Sequence, residues 1–356
     1  MFSYRHYVPI LKGKKGEFDA LQSISKKTKQ GITPLINIPP RKTDVPIEHH
    51  LWKIAKKIGN SWGFNKPLFI DLFNIDLSEH MTNGTQTVKY AFGCLSYYSV
   101  VAIPTTGLQR DDNYNQAITE IISKDQRGVC IRLLSEDIDN PKELDRELNN
   151  LLNMLITSKK DAHLLIDLQA LSLEDIDSAS KKIINLINTL QNISNWQTLT
   201  IAASGFPHSL SGIKPNSEEK IIRTELVLWK RVISSKNLAR LPSYGDYGIV
   251  HPHQPEFDRP PNSSPKIRYT LNEDWLILRG ESFKKHPKGF KQYHDLARNL
   301  IEMPEFLNVG FSKGDDYIVK CASFNATCGN LTTWIQVDTT HHLTLVSDQI
   351  ASTVVP

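Results

Sequence analysis

Pro67-Leu68-Phe69-Ile70-Asp71-Leu72-Phe73 and His163-Leu164-Leu165-Ile166-Asp167-Leu168 are near-copies, each an apolar run of strand length with one aspartate close to its end. A run that is apolar on both faces suits a strand covered on both sides, as in a parallel sheet flanked by helices. Six more runs have the same character: His6 to Leu11, Thr33 to Ile38, Ser99 to Pro104, Gly128 to Leu134, Thr198 to Ala203 and Tyr247 to His251.

Helical periods fill the intervals. Glu17 to Lys27 opens after a glycine, Asn113 to Ser123 carries Ala117, Ile118, Ile121 and Ile122, and Asn140-Pro141 starts Lys142 to Ile156 with proline in the first turn. Ser172 to Leu190 and about Ser217 to Ser234 follow. Eight strands alternating with helices predict a (β/α)8 TIM-type barrel. An open doubly wound sheet is the alternative, but no GxGxxG turn follows the first strand. Beyond the expected eighth strand come a proline-rich loop at Pro252 to Pro265 and a β-hairpin of Lys266 to Thr270 with Asp274 to Arg279. A closing helix over Phe290 to Met303 and a final helix from about His342 to Ser352 complete the chain. The whole chain, 1–356, reads as one barrel domain, with 252–356 as a post-barrel extension of it.

Composition excludes several classes. The net charge of +4 arises from 42 basic and 38 acidic residues, too dispersed for a protein that binds nucleic acid by counterion release alone. No run approaches the roughly 18 apolar residues of a membrane span, and Met1 to His6 lacks a signal-peptide core, so a cytoplasmic location is expected. Cys94, Cys130, Cys321 and Cys328 show no CxxC spacing and read as free thiols.

In a barrel, chemistry belongs at the C-terminal ends of the strands. Lys12, Lys14 and Glu17 follow the first strand, Asp71 ends the third, Arg132 and Asp167 lie late in the fifth and sixth, and Asp246 precedes or enters the eighth. Lys12, Arg132, Arg268 and Arg279 suit an anionic ligand, because guanidinium forks match phosphate or carboxylate oxygens. Asp71 and Asp167 have two readings: a general acid and base, or a buried ionic layer with Arg132. Ser312-Lys313-Gly314-Asp315 either binds an anion through backbone N–H groups or simply builds a turn. Glu17, Asp71, Asp167 and His341 are thus the catalytic candidates. Lys12, Lys14, Arg132, Asp246, Arg268, Arg279, Ser312, Asp315 and Trp334 are the ligand-binding ones. His251 and His253 form an HxH pair, but at the edge of a proline-rich loop rather than on the first strand, so neither a metal nor a cofactor is expected. Neighbours on a helix point about 100° apart, so His341 and His342 serve different sites.

Several segments carry a family resemblance. The opening Tyr7-Val-Pro-Ile-Leu-Lys12-Gly-Lys14-Lys-Gly-Glu17-Phe-Asp-Ala-Leu21, Ile32-Thr-Pro-Leu, Arg223-Thr-Glu225, Tyr244-Gly-Asp246-Tyr247, Ile267-Arg268-Tyr269, Ser312-Lys-Gly-Asp315-Asp-Tyr-Ile318, Trp334 and His341-His342-Leu-Thr resemble the "beta protein" family of tailed phages and bacterial mobile elements. The similarity spans nearly the whole chain and departs at Lys313, where a bulkier aromatic or a small residue is expected. It implies a role in phage–host conflict, antiviral defence or phage exclusion, without naming a reaction. The residues add an expected phosphate-bearing ligand at the barrel mouth, a nucleotide or nucleic-acid end. Two alternatives stand beside it: a non-catalytic interaction protein docking a nuclease or phage protein through exposed Tyr269, Trp275 or Trp334, and a metabolic barrel enzyme.

Overall fold

The computed structural model describes residues 2–63, 65–75, 81–253 and 263–354. Strands β1 (Tyr7–Leu11), β2 (Leu35–Asn37), β3 (Pro67–Asp71), β4 (Val101–Thr106), β5 (Val129–Leu133), β6 (Ala162–Ala170), β7 (Thr198–Ser204), β8 (Ser217–Ile222) and β9 (Ser243–Asp246) precede the hairpin β10 (Lys266–Thr270) and β11 (Asp274–Arg279). Helices α1 (Lys15–Ser23), α2 (Lys26–Gly31), α3 (Ile47–Trp62), α4 (Thr87–Tyr97), α5 (Asp112–Asp125), α6 (Pro141–Met154), α7 (Ile176–Thr189) and α8 (Thr224–Ile233) alternate with the strands. Three more, α9 (Gln292–Ile301), α10 (Lys313–Ala322) and α11 (Leu331–Ser352), follow the hairpin.

The strand order β1-β2-β3-β4-β5-β6-β7-β9 closes on itself, all pairs parallel, which makes the (β/α)8 barrel. Side chains alternate along each strand. Val8, Ile10, Leu35, Phe69, Ile103, Cys130, Leu165 and Ala202 therefore fill the interior, while Tyr7, Leu11, Ile36, Ile70, Ile131, Ile166, Ile201 and Tyr244 face the helices. The same parity carries Asn37, Asp71, Arg132, Asp167 and Tyr247 inward at the C-terminal mouth and Asp246 outward.

Four expectations need correction. The eighth barrel strand is Ser243–Asp246, not Tyr247 to His251: Gly248 takes a left-handed φ of +63°, and Asp246 accepts its N–H at 2.9 Å, turning the chain. Ser217–Ile222 is a strand rather than the start of a helix, because it pairs antiparallel with the otherwise open edge of β11; α8 begins only at Thr224. The expected helix over Glu17 to Lys27 is broken where Ser25 caps a new one, accepting from the Thr28 N–H. The last helix starts at Leu331, capped by Asn330, eleven residues before the position read from the sequence. Of the proline-rich loop, residues 254–262 lie outside the described residues.

The hairpin and β8 form a three-stranded sheet, order β10-β11-β8. One face, with Ile267, Tyr269, Leu276 and Leu278, packs on α9, α10 and α11 around Tyr293 and Trp334. The other, with Trp275 and Ile277, packs on Phe206, Leu210, Ile213 and Ile249 from the loops after β7 and β9. After this excursion α11 returns to lie against α1, α2 and β1. It therefore takes the place of the eighth barrel helix; the hairpin with α9 and α10 is inserted between the eighth strand and that helix, and β8, from the loop between β7 and α8, completes the sheet. Among the described residues no helix is long and apolar enough to cross a membrane.

Asp338 ties α11 to the sheet. It accepts the Arg268 backbone N–H at 3.1 Å and the Arg268 guanidinium at 3.5 Å, while its Oδ1 has no partner among the described residues. Burial outweighs this long ion pair and pushes the carboxyl up to about 8. The folded chain thus holds a proton that the unfolded chain has lost, so stability present at low pH falls as pH rises through about 4 to 8. Asp338→Asn keeps an acceptor and removes the ionisation. It is expected to flatten the fall in Tm between about pH 6 and pH 9, measured by scanning calorimetry; an unchanged wild-type slope would contradict this.

Candidate functional site

Arg132 fills the barrel mouth and uses all five of its N–H donors. Its Nε donates to Asp167 Oδ2 at 2.9 Å, Nη1 to Asn37 Oδ1 at 3.0 Å and Asp71 Oδ2 at 2.7 Å, and Nη2 to Asp167 Oδ2 at 2.6 Å and Tyr247 Oη at 2.8 Å. The twin aspartates are built alike, as their twin sequences suggest. Asp71 Oδ1 accepts the Phe73 N–H and Asp167 Oδ1 the Gln169 N–H, each at 2.9 Å, so each carboxylate is fixed by the turn after its own strand. Arg110 adds a second cation, donating to Asp71 Oδ1 at 2.6 Å. Two guanidinium and two carboxylate groups balance. Of the two readings, the geometry matches the buried ionic layer, with no open face on Arg132 for an anion. The cavity beside it, between Phe73, Gly107, Arg110 and Leu134, is about 20 Å³, room for a water and not a substrate.

A second buried polar seam runs outside the barrel, beneath α11. Asp246 accepts from Tyr7 Oη at 2.5 Å, Tyr244 Oη at 3.0 Å, the Gly248 N–H and His342 Nε2 at 3.1 Å. Burial works to raise this carboxyl, and His342, Arg223 and Tyr7 outweigh it, holding it at about 2. Burial pushes His342 below its ordinary value, so the ring is neutral at pH 7; Nε2 donates to Asp246, and Nδ1 accepts from the Thr270 hydroxyl at 2.9 Å. Arg223 is fully buried and donates to Tyr244 Oη, Glu225 Oε1 and Gln349 Oε1. Burial pushes Glu225 up to about 7 despite that guanidinium. His341 points the other way: Nδ1 faces Asp315 Oδ2 at 3.0 Å and Nε2 the Thr270 carbonyl at 2.9 Å, and the ring stacks on Tyr269 at 3.9 Å. The two rings point apart, His341 into the inserted sheet and His342 to Asp246 of the barrel, and both also bond Thr270.

The remaining candidates are dispersed. Glu17 is buried and accepts the N–H groups of Lys12 and Lys14; it sets the turn after β1 rather than facing the mouth, and burial raises its carboxyl against those bonds. Lys14 is the N-cap residue of α1. Arg268 is engaged by Asp338, and Arg279 donates to the carbonyls of Leu210, Ser211 and Ile213, clamping the loop after β7 instead of a ligand. Ser312 caps α10 and holds Asp315, settling its turn as a helix start. Trp334 is fully buried, stacked on Tyr293 at 4.5 Å; Trp275 and Tyr269 are core residues too, so none of the three can anchor a partner.

The rim carries His208, which sequence reasoning passed over, beside His251 and His253, which it weighed only as metal ligands. His208 and His251 rings lie 5.1 Å apart and His251 and His253 rings 5.7 Å apart, at the ends of β7 and β9. His251 Nδ1 accepts the His253 N–H at 3.1 Å, so the neutral ring carries its proton on Nε2 and is a donor there. Burial, then His208, His253 and Lys12 beside it, pull His251 down to about 4. Among the described residues no group of His, Cys, Asp and Glu is arranged to hold a metal. The signal for His208 was its place four residues beyond β7.

Fold and site define a (β/α)8 barrel whose mouth is plugged by a neutral ionic layer and carries Lys12, His208, His251 and His253 on the loops after its first, seventh and eighth strands. The family model described as Beta protein matches residues 7–348. The chain belongs to the Beta protein family. A search of curated proteins gives no match. Solved structures similar to it include a mutant tryptophan synthase alpha-subunit from the hyperthermophile Pyrococcus furiosus, at 11% identity and TM-score 0.39, covering 69% of this chain and 89% of that one. Triosephosphate isomerase from Bartonella henselae is another, at 10% identity and TM-score 0.34, covering 69% and 94%. The closed strand order itself carries the fold assignment.

Arg132→Met leaves Asp167 buried without a cation and Asp71 with Arg110 alone, and is expected to cost about 3–5 kcal/mol. Arg132→Lys restores only part of this, because one ammonium cannot replace five directed donors. Urea denaturation reads both; a wild-type midpoint for Arg132→Met would contradict the ionic-layer account.

Proposed function

We propose that this protein acts in phage–host conflict by holding an anionic, phosphate-bearing ligand at its barrel mouth, as a binder rather than through acid–base chemistry by Asp71 and Asp167. The observation that carries the reading is the cluster of donors at the rim, Lys12 beside His251 with His208 and His253 packed against it. These groups follow the first, seventh and eighth barrel strands, and in barrels of this type the loops after strands seven and eight are where phosphates are commonly held. The rim is also stiffened from behind. Trp275 and Ile277 pack under Phe206 and Ile249, and the Arg279 clamp fixes residues 210–213. A rim held in place loses little entropy on binding. The family's phage and mobile-element setting supplies the biological side of the proposal.

Arg132 has no part in the contact, since its donors are spent; Lys12 and the Nε2–H of His251 are the anion contacts. Wild-type protein is expected to bind inorganic pyrophosphate or a nucleoside triphosphate in isothermal titration, more weakly as salt rises. Lys12→Ala and His251→Ala are each expected to lower affinity about tenfold without changing Tm. The same variants are expected to lose any effect of the expressed protein on phage plating. No heat of binding for any phosphate ligand at low salt, or equal affinity in all three proteins, would sink the proposal.

A further inference from the structure

Trp52 is 36% exposed, whereas Trp62, Trp196, Trp229, Trp275 and Trp334 are buried at 2% or less. It does not stand alone. Its ring lies 4.8 Å from Tyr97, which is 70% exposed, and 5.2 Å from Tyr98, and the two tyrosines meet edge to face at 5.2 Å. The trio bridges α3 and α4, which approach closely because Gly59 makes room for Tyr98. One turn before Tyr97, Gly93 leaves open space where a side chain would stand. Isolated exposed aromatics are ordinary, but three in mutual contact beside open space form a platform.

C-terminal to Trp52 the charged side chains of α3 are all basic, Lys53, Lys56 and Lys57, while Glu48 lies one turn on its N-terminal side. At about 100° per residue, Lys56 sits one turn from Trp52 and some 40° round α3, and Lys53 about 100° round. Lys57 continues the strip toward Lys15; burial, then Lys53 and Lys15, pull it below its ordinary value against the opposing charge of Asp19. Among the described residues no carboxylate pairs with Lys53, Lys56 or Lys57; the acids nearby are engaged elsewhere, Glu48 with the Thr82 N–H, Asp19 with Lys15 and Glu120 with Lys89.

From this juxtaposition we infer that the α3–α4 face is a docking surface for single-stranded nucleic acid, whose bases stack on Trp52 and Tyr97 while its phosphates track Lys53 and Lys56. Stacking on exposed rings with a parallel basic track is how sequence-tolerant binders hold a single strand. A membrane surface would need aliphatic side chains to insert, and those of α3 and α4, Leu51, Ile54, Ile58, Val88 and Leu95, are buried in the barrel's helix layer. The inference is independent of the mouth site, since it uses different residues on a different face.

The test titrates a single-stranded oligodeoxythymidylate of about twelve nucleotides into the full chain and reads tryptophan fluorescence and anisotropy of a labelled strand. Quenching is expected in wild type and is expected to be absent in Trp52→Phe, which still binds the labelled strand. Affinity is expected to fall about tenfold in Tyr97→Ser and in Lys53→Ala/Lys56→Ala, the latter with a shallower dependence on salt, while circular dichroism stays unchanged. Excess inorganic pyrophosphate at matched ionic strength leaves the strand bound. No binding in low salt, binding unaffected by these substitutions, displacement by pyrophosphate, or binding of anionic lipid vesicles in place of the strand would each overturn it.

Discussion

The contact on which the rest of the structure depends joins Asp246 to Tyr7 and His342. Asp246 ends the last barrel strand, Tyr7 opens the first, and His342 lies at the middle of the final helix. β1 and β9 close the barrel by pairing Tyr7 with Tyr244 and Pro9 with Asp246. A parallel pair that closes a barrel must be covered on its outer face, and α11 reaches across it from the inserted sheet to α1 and α2. Buried charges are tolerated there only because every carboxylate oxygen and guanidinium edge is met. The inserted sheet is bound in through the same helix: His342 holds the barrel, while His341, next to it, holds Asp315 and the Thr270 carbonyl.

The fold spends its strongest charges on structure. Arg132 is consumed inside the mouth, Arg223 beneath α11 and Arg279 on a loop. The two surfaces proposed for recognition use more exposed groups: histidines and a lysine at the mouth, and aromatic and lysine side chains on α3 and α4. Such groups on a rigid frame suit ligand binding. The three-stranded sheet supports this division, since one of its faces builds a separate apolar cluster with α9 to α11 and the other steadies the rim loops.

The barrel was legible in the sequence because its strands are apolar on both faces, a pattern that few other architectures demand. Strand eight was not, because its four residues, Ser243-Tyr-Gly-Asp246, include just one large apolar side chain, while Tyr247 to His251 imitates a strand. That four-residue displacement also hid the direction of Asp246: with β9 in its true place, parity sends Asp246 outward and Tyr247 inward onto Arg132. The early start of α11 was hidden by polarity. Thr339, Thr340, His341, His342 and Thr344 are all buried, so no amphipathic period marks the helix. Most candidate site residues are buried polar groups whose hydrogen bonds are met within the chain. Conspicuous arginines, aspartates and histidines in a strand or helix signal a partner that satisfies them, and the sequence does not say whether that partner is a ligand or another part of the chain.

Native-state hydrogen exchange followed by mass spectrometry addresses the central claim, that α11 is the eighth barrel helix and locks the closing strands. The account predicts that backbone amides of residues 334–350 and of β1 are protected to the same degree and lose protection together as denaturant is added, as one cooperative unit. Release of α11 with the inserted sheet at low denaturant, while β1 and β9 stay fully protected, would contradict it.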